Sequence, residues 1–273
     1  MSSKLRGRTL LITGGGSGIG RLMAIKAAER GARVVIWDLS VDAGLAVRDE
    51  IRRSGASAES FAVDVSDREE VARAATATGA VDVLINNAGV VTGKRLLEAS
   101  ADEIERTYRV NVLALYWVTR AFLGDMIERR RGTVVTISSA AGIVGVAKQT
   151  DYSASKFAAF GFTESLRQEL RKDRTRVRTL TVCPYYIDTG MFEGVRTRFP
   201  RLLPILDADD AAVRIIRAIE RGKRQLVMPP FVRVIPITRM LPTRVFDFLM
   251  DFVGVNSTMD HFVGRDENAL AEK

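Results

Sequence analysis

Tyr152-Ser153-Ala154-Ser155-Lys156 sets a phenol and an ammonium four residues apart in a helical pattern, so both lie on one face. That pair suits proton transfer at an alcohol or carbonyl oxygen. Bringing a tyrosine from a pKa of about 10 to near 7 needs about 4 kcal/mol of preference for the phenolate. One lysine charge at about 4 Å in a medium of effective dielectric about 20 is of that size. A phenolate so tuned takes the alcohol proton, and in reverse the phenol protonates a forming alkoxide. Ser139, at the end of a β-branched run, adds a hydroxyl that can hold the same oxygen.

Proton transfer alone does not oxidise an alcohol; a hydride acceptor is needed, and a second motif supplies a place for one. Thr13-Gly14-Gly15-Gly16-Ser17-Gly18-Ile19-Gly20 follows a strand pattern and opens a helical one. Glycines there let the backbone approach a pyrophosphate, and the new helix turns free N–H groups and its positive dipole end toward it. Gly14, Ser17, Gly18, Ile19 and Gly20 are the expected contacts. The second strand pattern leads into Asp38, near the offset at which a carboxylate accepts the hydroxyls of an adenosine ribose. A 2'-phosphate beside Asp38 would meet repulsion, on the order of 4 kcal/mol for one charge pair at about 4 Å and dielectric about 20. No cation stands in the glycine turn to offset it, so NAD is the expected cofactor, and its oxidised nicotinamide would add positive charge near Tyr152.

Composition removes competing chemistries. One cysteine, Cys183, and one histidine, His261, leave no intrachain disulfide and no multi-histidine or cysteine-cluster metal centre, so no metal is expected. A Ser-His-Asp hydrolase would need His261, which nothing in its neighbourhood marks as a base. The net charge of +8 is spread along the chain, mostly in company with Asp or Glu. Its tight run, Arg129-Arg130-Arg131 before Gly132, reads as a helix C-terminus, and no nucleic-acid partner is expected. The start does not pattern as a signal peptide and no eighteen apolar residues run unbroken, so the expected compartment is the cytoplasm.

The elements that must position these groups follow from hydrophobic periodicity. Strands are expected at 9–13, 33–37, 58–63, 81–85, 132–138, 176–182 and 225–228, with amphipathic helices between them. With 47% apolar and 27% charged residues over 273 positions, this predicts a single-domain Rossmann fold: α/β, a doubly wound seven-stranded parallel sheet with helices on both faces. A substrate loop is expected at about 190–206, a helix from Asp207 to Arg221, and a loose proline-punctuated tail at about 229–273. Apolar residues in the loop and tail predict a lid over a pocket for a small apolar alcohol or carbonyl compound. Arg233, Arg239 and Arg244 add the expectation that part of the tail rests peripherally on an anionic membrane surface.

Taken together the motifs resemble the short-chain dehydrogenase/reductase family. The resemblance covers the turn at 13–20, Asp64-Val65, Asn87-Ala88-Gly89, Asn111, Ser139, the pair Tyr152 and Lys156, and Pro184 with Thr189. It implies that Asp64 and Val65 contact adenine and that Asn87, Ala88 and Gly89 shape the cofactor floor. Lys156 would also grip the nicotinamide ribose, Asn111 would hold a proton-relaying water, and Ile187 and Thr189 would orient the carboxamide. It further implies a homodimer or homotetramer packed through 103–128 and 152–171. Where the family usually has glycine after the proline, this chain has Tyr185, which is expected to line the substrate pocket or simply to pack. Cys183-Pro-Tyr-Tyr-Ile-Asp-Thr-Gly-Met-Phe192 and the context of Tyr152 are similar to the branch of retinol and 17β-hydroxysteroid dehydrogenases. Members of that branch carry an N-terminal hydrophobic anchor, which the first residues here do not pattern as. Two alternatives stand beside an NAD-dependent alcohol dehydrogenase: an NADPH-dependent carbonyl or 3-oxoacyl-thioester reductase, and a non-catalytic dinucleotide sensor.

Overall fold

The computed structural model describes residues 4–264. The β-branched runs form β1 (Thr9–Thr13), β2 (Arg33–Asp38), β3 (Ala58–Ala62), β4 (Val83–Asn86), β5 (Thr133–Ile137), β6 (Arg178–Pro184) and β7 (Gln225–Met228). All pair in parallel in the order β3-β2-β1-β4-β5-β6-β7. Period-two alternation sends Leu10, Ile12, Val34 and Ile36 to one face and Leu11, Val35 and Trp37 to the other, and all are buried.

Two helical layers cover those faces. Helices α1 (Gly18–Ala28), α2 (Val41–Arg53) and α7 (Ala208–Glu220) pack Met23, Val47, Ile51, Ile215 and Ile216 on the first. Helices α3 (Arg68–Thr78), α4 (Ala101–Tyr108), α5 (Ala114–Glu128) and α6 (Thr150–Lys172) form the second layer, where Val71, Val118, Phe122, Met126 and Leu166 reach the core. Each fully buried side chain of this kind contributes about 1.5–3 kcal/mol. Starts are capped where the sequence offers acceptors: Asp67 accepts from Glu69 and Glu70 N–H, Ser100 forms a capping box with Glu103, and Asp207 accepts from Asp210 N–H. The joined span Ala101–Glu128 is long and apolar enough by composition to cross a membrane, but Leu115, Val118, Phe122 and Met126 are buried against the sheet layer.

Three expectations need correcting. Strand β6 begins two residues later and runs to Pro184, because Arg174 and Arg176 take left-handed backbone (φ 51° and 69°) that no strand accommodates. The tail is not loose: 3-10 turns at Pro230–Val234 and Val255–Ser257 flank α8 (Ile235–Thr238) and α9 (Thr243–Val253). Phe246, Leu249, Met250 and Val253 recur at helical spacing and close a satellite core with Val232 and Ile235; residues 265–273 of that expected tail lie outside the described residues. Charges are also less mixed than their order suggests. Arg130, Arg167, Arg171, Arg174, Arg176, Arg178 and Arg224 line one groove at the N-terminal edge of β5, β6 and β7, with no carboxylate among its lining residues.

The run at 129–131 does end a helix. Arg129 and Arg131 both reach Asp82, which is 7% exposed and also accepts from Thr9 N–H at 3.1 Å, tying the end of α5 to the start of β1. Arg129 and Arg131 stay a third to a half exposed, so solvent screens the set and losing Asp82 costs about 1 kcal/mol. Asp82→Ala should lower unfolding free energy by that order in denaturant titrations, and a loss under about 0.5 kcal/mol would show that Asp82 anchors nothing.

Candidate active site

The end of β1 is fastened to the end of β4 before the glycine turn begins. Thr13 Oγ1 accepts from Asn87 and Ala88 N–H at 3.0 and 3.1 Å, and Asn87 Nδ2 donates to the Thr13 and Gly14 carbonyls, both at 3.0 Å. Gly14 and Gly18 hold positive φ (62° and 51°), and α1 then passes so close that a Cβ on Gly20 would lie 2.0 Å from the Gly14 carbonyl oxygen. The resulting cradle has the shape and the helix start that a pyrophosphate requires, so its residues fit a dinucleotide. Asp38 closes one end: its carboxylate accepts from Gly16 N–H at 2.7 Å and Ser40 N–H at 3.0 Å, leaving lone pairs for a ribose.

One cleft at the C-terminal edge of the sheet gathers most of the residues singled out from sequence. Gly14, Ser17, Gly18, Ile19 and Gly20 meet Asn87, Ala88 and Gly89 there, together with Ser139, Tyr152, Lys156, Pro184, Tyr185, Ile187 and Thr189. Four others stand outside its lining. Asp38 touches the turn from beside it. Asp64 accepts from Ser66 through N–H and hydroxyl at 2.8 and 2.7 Å, and Val65 is packed in the core with Trp37 and Val71. Asn111 sits in a π-helical turn (Arg109–Leu113) between α4 and α5. Its amide clamps Val90 through both N–H and C=O at 2.9 Å and donates to Ser155 Oγ at 3.0 Å.

Tyr152 and Lys156 share one face of α6, as their spacing requires, and both are buried. Ser139 extends from β5 with its Oγ accepting from Ala141 N–H at 3.1 Å, and its hydroxyl pairs with the Tyr152 phenol. The expected electrostatics are corrected here. Lys156 Nζ donates to the Ile137 carbonyl at 3.1 Å and lies 5.5 Å from the Tyr152 ring centre. Burial pushes the Tyr152 phenol well above its usual range, against the Ser139 hydrogen bond that favours the phenolate. Burial also lowers Lys156 to about 8. In the chain alone, desolvation is the largest cause of both shifts.

Several contributors carried no sequence signal. Asp151, one residue before the phenol, is buried and takes hydrogen bonds from Thr92 and from Thr107, the latter at 2.9 Å, which fixes the first turn of α6. Ser138 Oγ donates to the Lys156 carbonyl at 2.8 Å, and Phe192 stacks edge-on to Tyr152 at 5.8 Å. From Ser139 and Tyr152 a narrow apolar cavity of about 40 Å³ continues away from the cleft. Val144, Phe192, Leu203, Phe231, Val232, Ile235, Met250 and Val255 line it, so loop and tail do form its far wall. Sequence reasoning singled out Ser139 and passed over Ser138; the contacts of Asp151 and the tail depend on the fold.

A parallel sheet whose strand order reverses between β1 and β4, with a glycine cradle there and a serine-tyrosine-lysine set across it, defines a dinucleotide-dependent oxidoreductase. Residues 8–199 match the family model for short chain dehydrogenases, and the chain belongs to that family, NAD(P)-dependent oxidoreductases acting on CH–OH groups. It is 42% identical to epidermal retinol dehydrogenase 2 of Mus musculus over 266 residues, 95% of this chain and 86% of that protein. It is 40% identical to short-chain dehydrogenase/reductase family 16C member 6 of Bos taurus over 269 residues, covering 96% and 85%. Among solved structures, a short chain dehydrogenase/reductase from Burkholderia phymatum in complex with NAD superposes with a TM-score of 0.79 at 28% identity, over 87% of this chain and 94% of that one. A metagenomic short-chain oxidoreductase in complex with NADP gives 0.70 at 33% identity, over 83% and 98%.

Because Lys156 falls from 10.5 to about 8 on folding, the unfolded chain holds its proton more tightly across that window. Stability therefore rises with pH from about 8 to 10.5, and below 8 the chain carries the full cost of a buried charge, about 3 kcal/mol. Lys156→Met keeps the length of the side chain and drops the charge. It should stabilise the cofactor-free protein at pH 7 by about 2 kcal/mol, once the lost hydrogen bond to Ile137 is set against the gain. Thermal unfolding at pH 7 and about pH 9.5 reads this out: the advantage should shrink at the higher pH, and a constant difference would show that Lys156 bears no such penalty.

Proposed function

We propose that the chain interconverts a bulky apolar alcohol and its ketone or aldehyde with NAD, using Tyr152 as the general acid-base. The observation that carries this reading is the position of Tyr152 and Ser139 where the glycine cradle's cleft meets the apolar cavity. The bound dinucleotide supplies the hydride acceptor. Ser139 holds the substrate oxygen, and Tyr152 takes its proton in oxidation and returns it in reduction. Lys156 holds the nicotinamide ribose from its place beside Gly89, and the Asn111 clamp on Val90 keeps the segment after β4 in position for a water relay through the lysine. Asp64 and Val65 flank the adenine, and Ile187 and Thr189 flank the carboxamide. A substrate held in the cavity is kept from water by Phe192, Leu203 and the tail. The names of the retinol dehydrogenase relatives support an apolar alcohol.

Asp38 supports NAD over NADP, and it counts against the reductase alternative. Two surfaces extend the reading. Tyr108, Leu113, Tyr116 and Phe157 are exposed on and beside α4, α5 and α6, which supports packing of subunits through those helices. Ile237, Met240, Phe248 and Phe252 are exposed on and around α8 and α9 near Arg233, Arg239 and Arg244, which supports contact with anionic lipid.

Steady-state kinetics test the core of the proposal. Efficiency should climb steeply with chain length in a series of alcohols, at about 0.8 kcal/mol per buried methylene, and a preference for small polar alcohols would refute the apolar cavity. Tyr152→Phe should cut turnover by about a hundredfold or more with little change in dinucleotide affinity. NAD should exceed NADP by at least about tenfold in efficiency, and Asp38→Ala should narrow that ratio; equal use of both by the parent would overturn the role of Asp38.

A further inference from the structure

Two polar atoms in the wall of the apolar cavity have no hydrogen-bond partner among the described residues. Gln149 is 1% exposed, and its Nε2 donates to Met259 Sδ at 3.0 Å and, at 3.5 Å, to the Tyr186 phenol. Its Oε1 is buried without a partner. The Tyr185 hydroxyl is likewise buried without a partner, while its ring stacks edge-on to Tyr186 with centres 4.6 Å apart. Both residues line the cavity, and Tyr185 also lines the cofactor cleft, so it stands where the two spaces join. The neighbouring phenol shows the contrast: Tyr186 is satisfied by Thr258 at 2.8 Å.

A buried acceptor with no donor is more costly than an apolar group of the same shape, so a leucine or methionine would fill the place of Gln149 at less cost. The surrounding wall is already apolar, with Val144, Val146 and Leu203. Ser139 and Tyr152 are committed to the reacting oxygen. A water able to bridge these atoms would have to be displaced by substrate, which must then restore its hydrogen bonds or lose affinity.

We propose that Gln149 Oε1 and the Tyr185 hydroxyl form a second polar anchor in this cavity, recognising an additional oxygen function on the substrate away from the carbon being oxidised. An amide oxygen only accepts, so Gln149 selects a hydroxyl; a phenol both donates and accepts, so Tyr185 takes a hydroxyl or a carbonyl. The substrate class is then a diol or hydroxyketone on a bulky apolar skeleton, rather than a hydrocarbon with one alcohol. This rests on the alcohol dehydrogenase reading above and narrows it.

The test compares matched pairs with NAD: a secondary alcohol, and the diol or hydroxyketone of the same carbon skeleton, across several skeletons. The parent enzyme should favour the bifunctional member of at least one pair by about tenfold or more in kcat/KM, as a site built to bond a hydroxyl rejects the analogue lacking it. Gln149→Leu and Tyr185→Phe should each shrink that preference to about threefold or less, mainly through KM, with Gln149→Leu improving the monofunctional member. Tyr185→Phe should hold or raise thermal stability, since its hydroxyl has no bond to lose, and it keeps the test decisive where Gln149→Leu folds poorly. No preference in any pair, or a preference that survives both variants, overturns the anchor and leaves the alcohol reading intact. Turnover of neither member of any pair overturns the alcohol reading itself, and the anchor with it.

Discussion

The fold hangs on how closely helix α1 passes over the turn that feeds it. A single carbon on Gly20 would meet the Gly14 carbonyl oxygen at 2.0 Å, and one on Gly14 would meet the Ala88 backbone at 3.0 Å. Those approaches bring β1, α1 and the end of β4 together at the place where the strand order reverses. The Asn87 amide spans the Thr13 and Gly14 carbonyls, so the same contact that closes the turn sets the floor of the cleft. Strand ends, helix start and cleft are therefore one packing problem with one solution, and residues from β5 and β6 need only reach the edge of the sheet to face it.

Burial has opposite effects on the two groups meant to exchange protons. It holds the Tyr152 phenol neutral and weakens the proton on Lys156, so each is pushed toward its uncharged form. The chain's own charges do not prepare a phenolate. What they do prepare is geometry: Asp151 is pinned by Thr92 and Thr107, Ser138 fastens the Lys156 carbonyl, and Ile137 receives the ammonium. The site is rigid before it is tuned, and a site of this kind responds strongly to positive charge arriving beside it in a poorly screened space.

Sheet and cradle were legible in the sequence because both are written locally. Alternation over five or six residues marks each strand, and a glycine run between a strand and a helix is its own signature. The residues brought to the cleft were readable for the same reason, since strand ends and one helical turn place them. The tail was not. Its prolines look like loop punctuation, yet Pro230 and Pro242 sit at or just before helix starts, where a missing N–H is harmless. Whether Phe246 and Met250 form a wall or dangle depends on partners some hundred residues away, such as Val144. Asp151 and Gln149 are unremarkable as letters, and only their neighbours in space reveal one as fully bonded and the other as short of a bond.

The arginine groove at the opposite edge of the sheet gives the molecule an unusual relation to its solvent. Folding gathers guanidinium groups from three separate stretches, 130, 167–178 and 224, and three of them, Arg130, Arg174 and Arg176, do so from left-handed backbone. On a chain whose formal net charge is already +8, the groove concentrates positive charge at one edge of the sheet. The base of the sheet is thus strongly cationic. Dissolved ions that screen like charges relax the folded form more than the unfolded one, so ionic strength acts on this end of the protein as a stabiliser rather than as a solvent of ion pairs.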